Sequence, residues 1–203
     1  MDPKTLLHLE LSLVKAEAAH RALLDRNSVE QVPIHWTDFL LSVARIYGKL
    51  EKGVVGDTRA TAWFNELKRE RRKDQLLRYL HFARNSDEHG LEFTTVNDGE
   101  LTGFVDASGQ EQVSIIQFQG KAEWSNVELF EDGKRIELTP RSTKSFWVLK
   151  RATDDRYNDF CDPPTEHLGI GYLMREPVSI SEVALPYFRN IILVAQYFHE
   201  RTL

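Results

Sequence analysis

The apolar positions of this chain follow two periods in succession: steps of three and four up to about residue 90, then alternation with polar residues. From Lys4 to about Arg26, Leu6, Leu7, Leu9, Leu11, Leu13, Val14, Ala18, Ala19, Ala22 and Leu23 lie among helix formers. No glycine interrupts them and Pro3 stands at the entry, which predicts a first helix. Residues 27–33 read as a connection. Trp36, Phe39, Leu40, Val43, Ile46, Tyr47 and Leu50 then mark a second helix, the clearest element of the chain. Gly53 and Gly56 break the pattern, and Asp57 or Thr58 can cap a third helix carrying Trp63, Phe64 and Leu67. Asp74 opens a fourth, with Leu76, Leu77, Leu80 and Ala83 on one side. Four helices joined by short links predict an antiparallel bundle.

Beyond Gly90, β-branched and aromatic residues alternate with polar ones, and turn residues arrive about every ten positions. Segments 91–96, 113–119, 124–130, 135–138 and 145–150 read as strands. Asp132-Gly133 suits a tight hairpin, and Asp98-Gly99 and Ser108-Gly109 mark two further turns. Residues 151–166 are polar, contain Pro163-Pro164 and read as an irregular loop, with a short strand over 168–173 and then Pro177 to Ile180. Ser179 or Ser181 can cap a last helix through Glu182–Glu200, with Pro186 near its first turns and Ile191, Ile192, Val194, Ala195, Tyr197 and Phe198 as its apolar surface.

The expected class is therefore α+β. An N-terminal antiparallel helical bundle (1–90) precedes an antiparallel β-sheet or small barrel region (91–180) and a C-terminal helix (181–203) that packs on the sheet or on the bundle. If it returns to the bundle, the β region is an insertion within one helical domain.

Composition narrows the function classes. At 203 residues, 41% hydrophobic and 28% charged, the chain reads as an ordinary globular protein, and its net charge of −5 argues against nucleic-acid binding through an overall positive field. The charge is uneven: residues 1–90 hold 15 Lys/Arg against 13 Asp/Glu, residues 91–203 hold 11 against 18. Cys161 is the single cysteine, so no intrachain disulfide can form, and the first residues lack the basic start and apolar core expected of a signal peptide. A cytoplasmic location is the default expectation. The longest apolar run, Ile191 to Ala195, falls far short of the roughly 20 residues that cross a bilayer, so no membrane association is expected.

The stretch with most chemical promise is Arg84-Asn85-Ser86-Asp87-Glu88-His89-Gly90, at the end of the fourth helix. An arginine clamps phosphate bidentately and keeps its charge, while a histidine titrates near neutrality and can move a proton. On one unbroken helix, positions 84 and 89 are turned about 140° from each other, so they converge only if the helix breaks or bends, or if a second subunit completes the site. Asn85 and His89, four apart, share a face. A plainer reading stands beside this. Gly90 sits where a C-cap glycine belongs, His89 favours the negative helix end, and Arg84 can pair with Glu88.

Arg84, Asn85 and His89 resemble the Arg, polar residue, short spacer and His motif of the HEPN superfamily (higher eukaryote and prokaryote nucleotide-binding domains), over about the first 90 residues. The resemblance implies an all-helical bundle, usually a homodimer with two motifs meeting across the interface. It also implies metal-independent endoribonuclease activity without a cofactor. Arg84 would bind the scissile phosphate, His89 would be general acid or base, and Asn85 would orient one of them. A 2′-hydroxyl would attack the adjacent phosphate in line, leaving a 2′,3′-cyclic phosphate. The alternative is a non-catalytic module that dimerises or binds a nucleotide or protein, with the acidic β region recognising a protein partner.

Other residues complete the inventory. Lys68, Arg69, Arg71, Arg72 and Lys73, followed by Arg78, form the dense basic patch near Arg84; it reads as a solvated helix face or as a phosphate contact for RNA. His81, with Asp87 and Glu88 near it, could contribute to a metal site but reads better as a surface or interface residue, and no tight metal signature is present. Cys161, Asp162 and His167 contain the elements of a thiol nucleophile in a loop without a supporting pattern. No phosphate-binding glycine loop occurs; Gly169-Ile170-Gly171 lacks the third glycine. Trp124, Phe130, Phe146 and Trp147 could present an aromatic platform to single-stranded nucleic acid, though core packing explains them more simply.

Overall fold

A computed structural model describes residues 2–25, 29–89, 93–118, 127–131, 134–154, 158–171 and 176–200. The class is α+β, with five α-helices and small antiparallel sheets among the described residues. The helices are α1 (Pro3–Leu24), α2 (Val32–Gly53, entered through a 3-10 turn at Val29–Gln31), α3 (Thr58–Lys73), α4 (Gln75–His89) and α5 (Pro177–Glu200). The strands are β1 (Thr95–Val105), β2 (Glu111–Phe118), β3 (Val127–Glu131), β4 (Lys134–Leu149), β5 (Ala152–Asp154), β6 (Asp159–Cys161), β7 (Glu166–His167) and β8 (Ile170–Gly171).

Local chemistry explains the helix starts. Asp2 Oδ1 accepts from the Lys4 N–H with Pro3 in the first turn, and Asp57 Oδ1 accepts from the N–H groups of Arg59 and Ala60, both at 3.0 Å. Asp74 Oδ1 accepts from the Leu77 N–H at 2.9 Å and so caps α4. In α5 the helix begins at Pro177 rather than at Ser179 or Ser181, because proline suits a first helical turn. Pro186 consequently falls inside the helix, on an exposed position. Ser181 is buried, donates to Val178 O and meets His20 Nδ1 at 2.8 Å.

The chain divides into two compact units. One comprises residues 1–95 with 149–203, the other residues 96–148. The closing helix thus belongs with the N-terminal helices, and the larger sheet is an insertion. Its two ends are adjacent in the helical unit, where Lys150 N–H donates to Thr94 O at 2.9 Å.

In the helical unit α1 packs on α2 and α5, while α4 packs on α2, α3 and the short strands β5 to β7. Trp36, Phe39, Leu40, Ile46, Leu50, Leu76, Leu77, Tyr79 and Phe188 are among the most buried side chains. Two of the largest are tied by polar contacts as well as by packing: Trp36 Nε1–H donates to Thr94 Oγ1 at 3.0 Å, and the Tyr79 hydroxyl donates to Lys150 O at 2.7 Å. Residues 151–166, expected as a loop, contain the β5–β6 pair; in the expected strand at 168–173 the described residues hold β8, paired with β7, and residues 172–173 lie outside the described residues. Helix α5 has the length and mean hydropathy to cross a membrane, more than its short apolar run suggests, but half of its most apolar window is buried within the protein.

The inserted unit is a four-stranded antiparallel sheet of order β2-β1-β4-β3. The β1–β2 turn is built on Asp106, whose Oδ1 accepts from the N–H groups of Ser108 and Gln110, with Gly109 at φ +82° as expected of a turn glycine. Asp98-Gly99 lies inside β1 instead of turning. The segments expected as strands at 135–138 and 145–150 are one strand, β4. It carries Pro140 just past Leu138, the last residue paired with β3 among the described residues. Asp132-Gly133, Trp124 and the side chain of Phe146 lie outside the described residues. Phe130 is exposed, so it is not a core residue of this unit. Residues 96–148 hold 5 Lys/Arg against 9 Asp/Glu, or −4 of the chain's −5.

Candidate functional site

Helical pitch sorts the basic run into two sets. Positions 64, 68 and 71 fall within about 60° of one another around α3, so Lys68 and Arg71 share the face of buried Phe64. Arg69, Arg72 and Lys73 are carried round to other faces. On α4 the same spacing aligns Leu77, His81 and Arg84, and on α2 it aligns Leu41, Arg45 and Gly48. These stripes converge on one cleft of about 400 Å³. Its floor is apolar, from Phe64, Leu77, Leu80 and Phe188, and its walls carry Arg45, Lys68, Arg71, His81 and Arg84.

The cations are held in distinct ways. The Arg71 guanidinium lies 4.6 Å from the centre of the Tyr47 ring, and Lys68 Nζ lies 5.0 Å from that of Phe64 and 3.9 Å from Glu51 Oε1. Among the described residues neither Arg45 nor Arg71 has an ion-pair partner. Arg84 is half-buried and donates from Nη1 to Asn85 Oδ1 at 3.1 Å, and Asn85 Nδ2 donates to Asp154 Oδ2 at 3.3 Å. Asn85 thereby links the arginine to strand β5. His81 stands at the rim with its ring partly in solvent. Burial, then the neighbouring Arg71 and Arg84 guanidiniums, push its pKa down to about 4, so it is neutral at pH 7. Tyr47 is buried and its hydroxyl meets that of Tyr187 at 3.3 Å, while the Tyr187 hydroxyl donates to Glu70 Oε2 at 2.8 Å. Burial pushes Tyr47 up to about 12.

Of the residues singled out in the sequence, the cleft gathers Arg84, Arg71 and Lys68. Helix α4 runs unbroken from Gln75 to His89, which separates positions 84 and 89 by about 140° of helical rotation, whereas His81 is about 60° from Arg84. The His89 side chain and Gly90 lie outside the described residues. Arg69 pairs with Glu66 at 2.6 Å, and Arg78 reaches Asp159 at 3.3 Å while lying over the Phe82 ring. Lys73 lines a separate cavity with Glu66, Glu70, Asp74 and Glu166, and Arg72 is simply exposed. Sequence reasoning missed Arg45 and set His81 aside. The available signal was their i, i+4 and i, i+3 spacing from Leu41 and Arg84.

The thiol reading is corrected by the structure. Cys161 is buried, burial pushes its thiol up to about 11, and His167 is engaged with Asp74 instead. Among the described residues no three His, Cys, Asp or Glu side chains gather as a metal site.

No known protein family, curated protein or solved structure matches this chain.

Proposed function

We propose that the helical unit is a nucleotide-binding module for RNA, and that the cleft between α2, α3 and α4 is its phosphate site. The observation that carries this reading is the convergence of Arg45, Lys68, Arg71 and Arg84 on one cavity over an apolar floor. Outside the insert the chain holds 21 Lys/Arg against 22 Asp/Glu, so this positive charge is local to the cleft. An apolar floor lowers the local dielectric and strengthens each guanidinium's pull on an anion. About 400 Å³ is the scale of a small-ligand pocket, too small for a duplex. The acidic insert suits a protein partner rather than RNA, and the setting is cytoplasmic.

Fluorescence anisotropy of a labelled single-stranded oligoribonucleotide tests this. Arg71→Met with Arg84→Met should weaken binding by on the order of 100-fold or more at low salt, since each removes a charge-assisted bond. Unchanged affinity in the double variant would remove the cleft from consideration.

A second reading is favoured by the Arg84 to Asn85 hydrogen bond beside the cleft. In it the unit is a HEPN-like metal-independent endoribonuclease in a homodimer, with Arg84, Asn85 and His89 as catalytic residues. RNA cleavage in EDTA by wild type but not by folded His89→Ala is the result it requires; cleavage by both would end it.

A further inference from the structure

Deepening the phosphate-site reading, on which it rests, we infer that the cleft is selective for a phosphate monoester dianion, a terminal phosphate of a nucleotide or of an RNA end, and that His81 takes up a proton when that dianion enters. Four cations on one cavity wall are matched poorly by a single negative charge. Among the described residues Glu51 is the one carboxylate in the lining, and it offers its charge to Lys68 at the long distance of 3.9 Å. Arg45 and Arg71 have no ion pair among the described residues, so two of the four cations in the cleft face it without a carboxylate. A phosphodiester in a chain brings one negative charge and a terminal monoester brings nearly two at neutral pH.

His81 adds the selectivity. It shares the cavity with Arg45 and Glu51 of α2, Lys68 and Arg71 of α3, and Arg84 of its own helix, with Asp154 of β5 acting on it from the side. Tyr47 stays neutral in this range. Burial, and after it the Arg71 and Arg84 guanidiniums, hold His81 neutral; a dianion between the guanidiniums reverses their contribution and favours the imidazolium. By linkage, a ligand that raises the histidine pKa binds more tightly as the pH falls through the raised value, over the range where the ligand-free histidine is still neutral.

Calorimetric titration of the whole chain tests both parts with defined probes. At pH 7.5, a nucleoside 5′-monophosphate should bind about tenfold or more tightly than the same nucleoside's 3′,5′-cyclic monophosphate, a monoanionic diester. Sulfate, a dianion that does not itself titrate here, should gain roughly tenfold in affinity from pH 7.5 to 5.5, a gain that His81→Gln abolishes. A 5′-phosphorylated oligoribonucleotide separates the sources: binding tighter than the mononucleotide assigns an RNA end, and equal binding assigns a free nucleotide. Gly48→Leu closes the cleft without altering charge, since a Cβ at Gly48 meets nothing within 4 Å, and should abolish every heat. Equal affinity for the cyclic and open monophosphates, both weakened by Arg71→Met, would overturn the dianion selectivity and leave the phosphate site standing. Sulfate affinity with the same pH slope in wild type and His81→Gln would overturn the role of His81. No binding of any probe would instead remove the phosphate site itself.

Discussion

Asp74 Oδ1 lies 3.0 Å from His167 Nδ1, joining the start of α4 to strand β7, 93 residues further along. The same carboxylate accepts from the Leu77 N–H at 2.9 Å and, through Oδ2, from the Leu168 N–H at 2.8 Å. Both side chains are buried, at 7% and 8% exposure. Asp74 is thus a helix cap, a loop anchor and a buried hydrogen-bond partner at once.

Asp74→Ala should therefore destabilise the helical unit by on the order of 3 kcal/mol, from the lost cap and the donors left without an acceptor. Burial pushes the Asp74 carboxyl up, but hydrogen bonds from His167, Leu168 and Leu77 outweigh it and hold it below the usual carboxylate range. A depressed carboxylate contributes stability that is present above its unfolded pKa of about 3.9 and lost as the pH falls through the folded value. Denaturant melts at pH 5 and below should show an acid-side loss of stability in wild type that is reduced in Asp74→Asn. Identical pH profiles would contradict the assignment.

Gly53, at the end of α2, faces Thr5 of α1, and a Cβ added there would run into the Thr5 side chain. Alanine gains about 1 kcal/mol of helix propensity over glycine, while overpacking costs about 1–3 kcal/mol. Gly53→Ala should lower the denaturation midpoint and Thr5→Ala should rescue it, a coupling that a double-mutant cycle measures. Additive effects would mean that the two helices do not meet there.

The ends of the inserted sheet are one hydrogen bond apart, Lys150 N–H to Thr94 O at 2.9 Å. Replacing residues 96–148 with a short glycine linker should leave the helical unit folded, with helical circular dichroism and one cooperative melt. Loop-closure cost changes only slowly with length, so the exchange is nearly neutral. A molten product would show that the insert contributes to the helical core.

Cys161 is buried with its thiol pushed up to about 11. It should react with a thiol reagent at pH 8 far more slowly in the native protein than in denaturant, by on the order of 100-fold or more, because little thiolate forms and access requires opening. Rapid native modification would reopen the thiol chemistry.

What the sequence reveals here follows from how local the determining physics is. The helices α2 and α3 are legible because their apolar stripes and the Asp57 cap act within a turn or two. The single strand β4 is not, because Pro140 reads as a break between two segments that are in fact continuous. The short pairs β5–β6 and β7–β8 are set by packing on α4, which no period reports. Within the cleft, Lys68, Arg71 and Arg84 are conspicuous as charges, but that they meet depends on how three helices are juxtaposed. Arg45 lies in an otherwise unremarkable helix turn. His81, at the rim, gains its interest only from the guanidiniums beside it.

The most direct test of the phosphate site is a crystal structure of the full chain grown with a nucleoside 5′-monophosphate. The account predicts the phosphate in the α2, α3 and α4 cleft, within hydrogen-bond distance of the Arg71 and Arg84 guanidiniums. A nucleotide bound elsewhere with that cleft empty would contradict it.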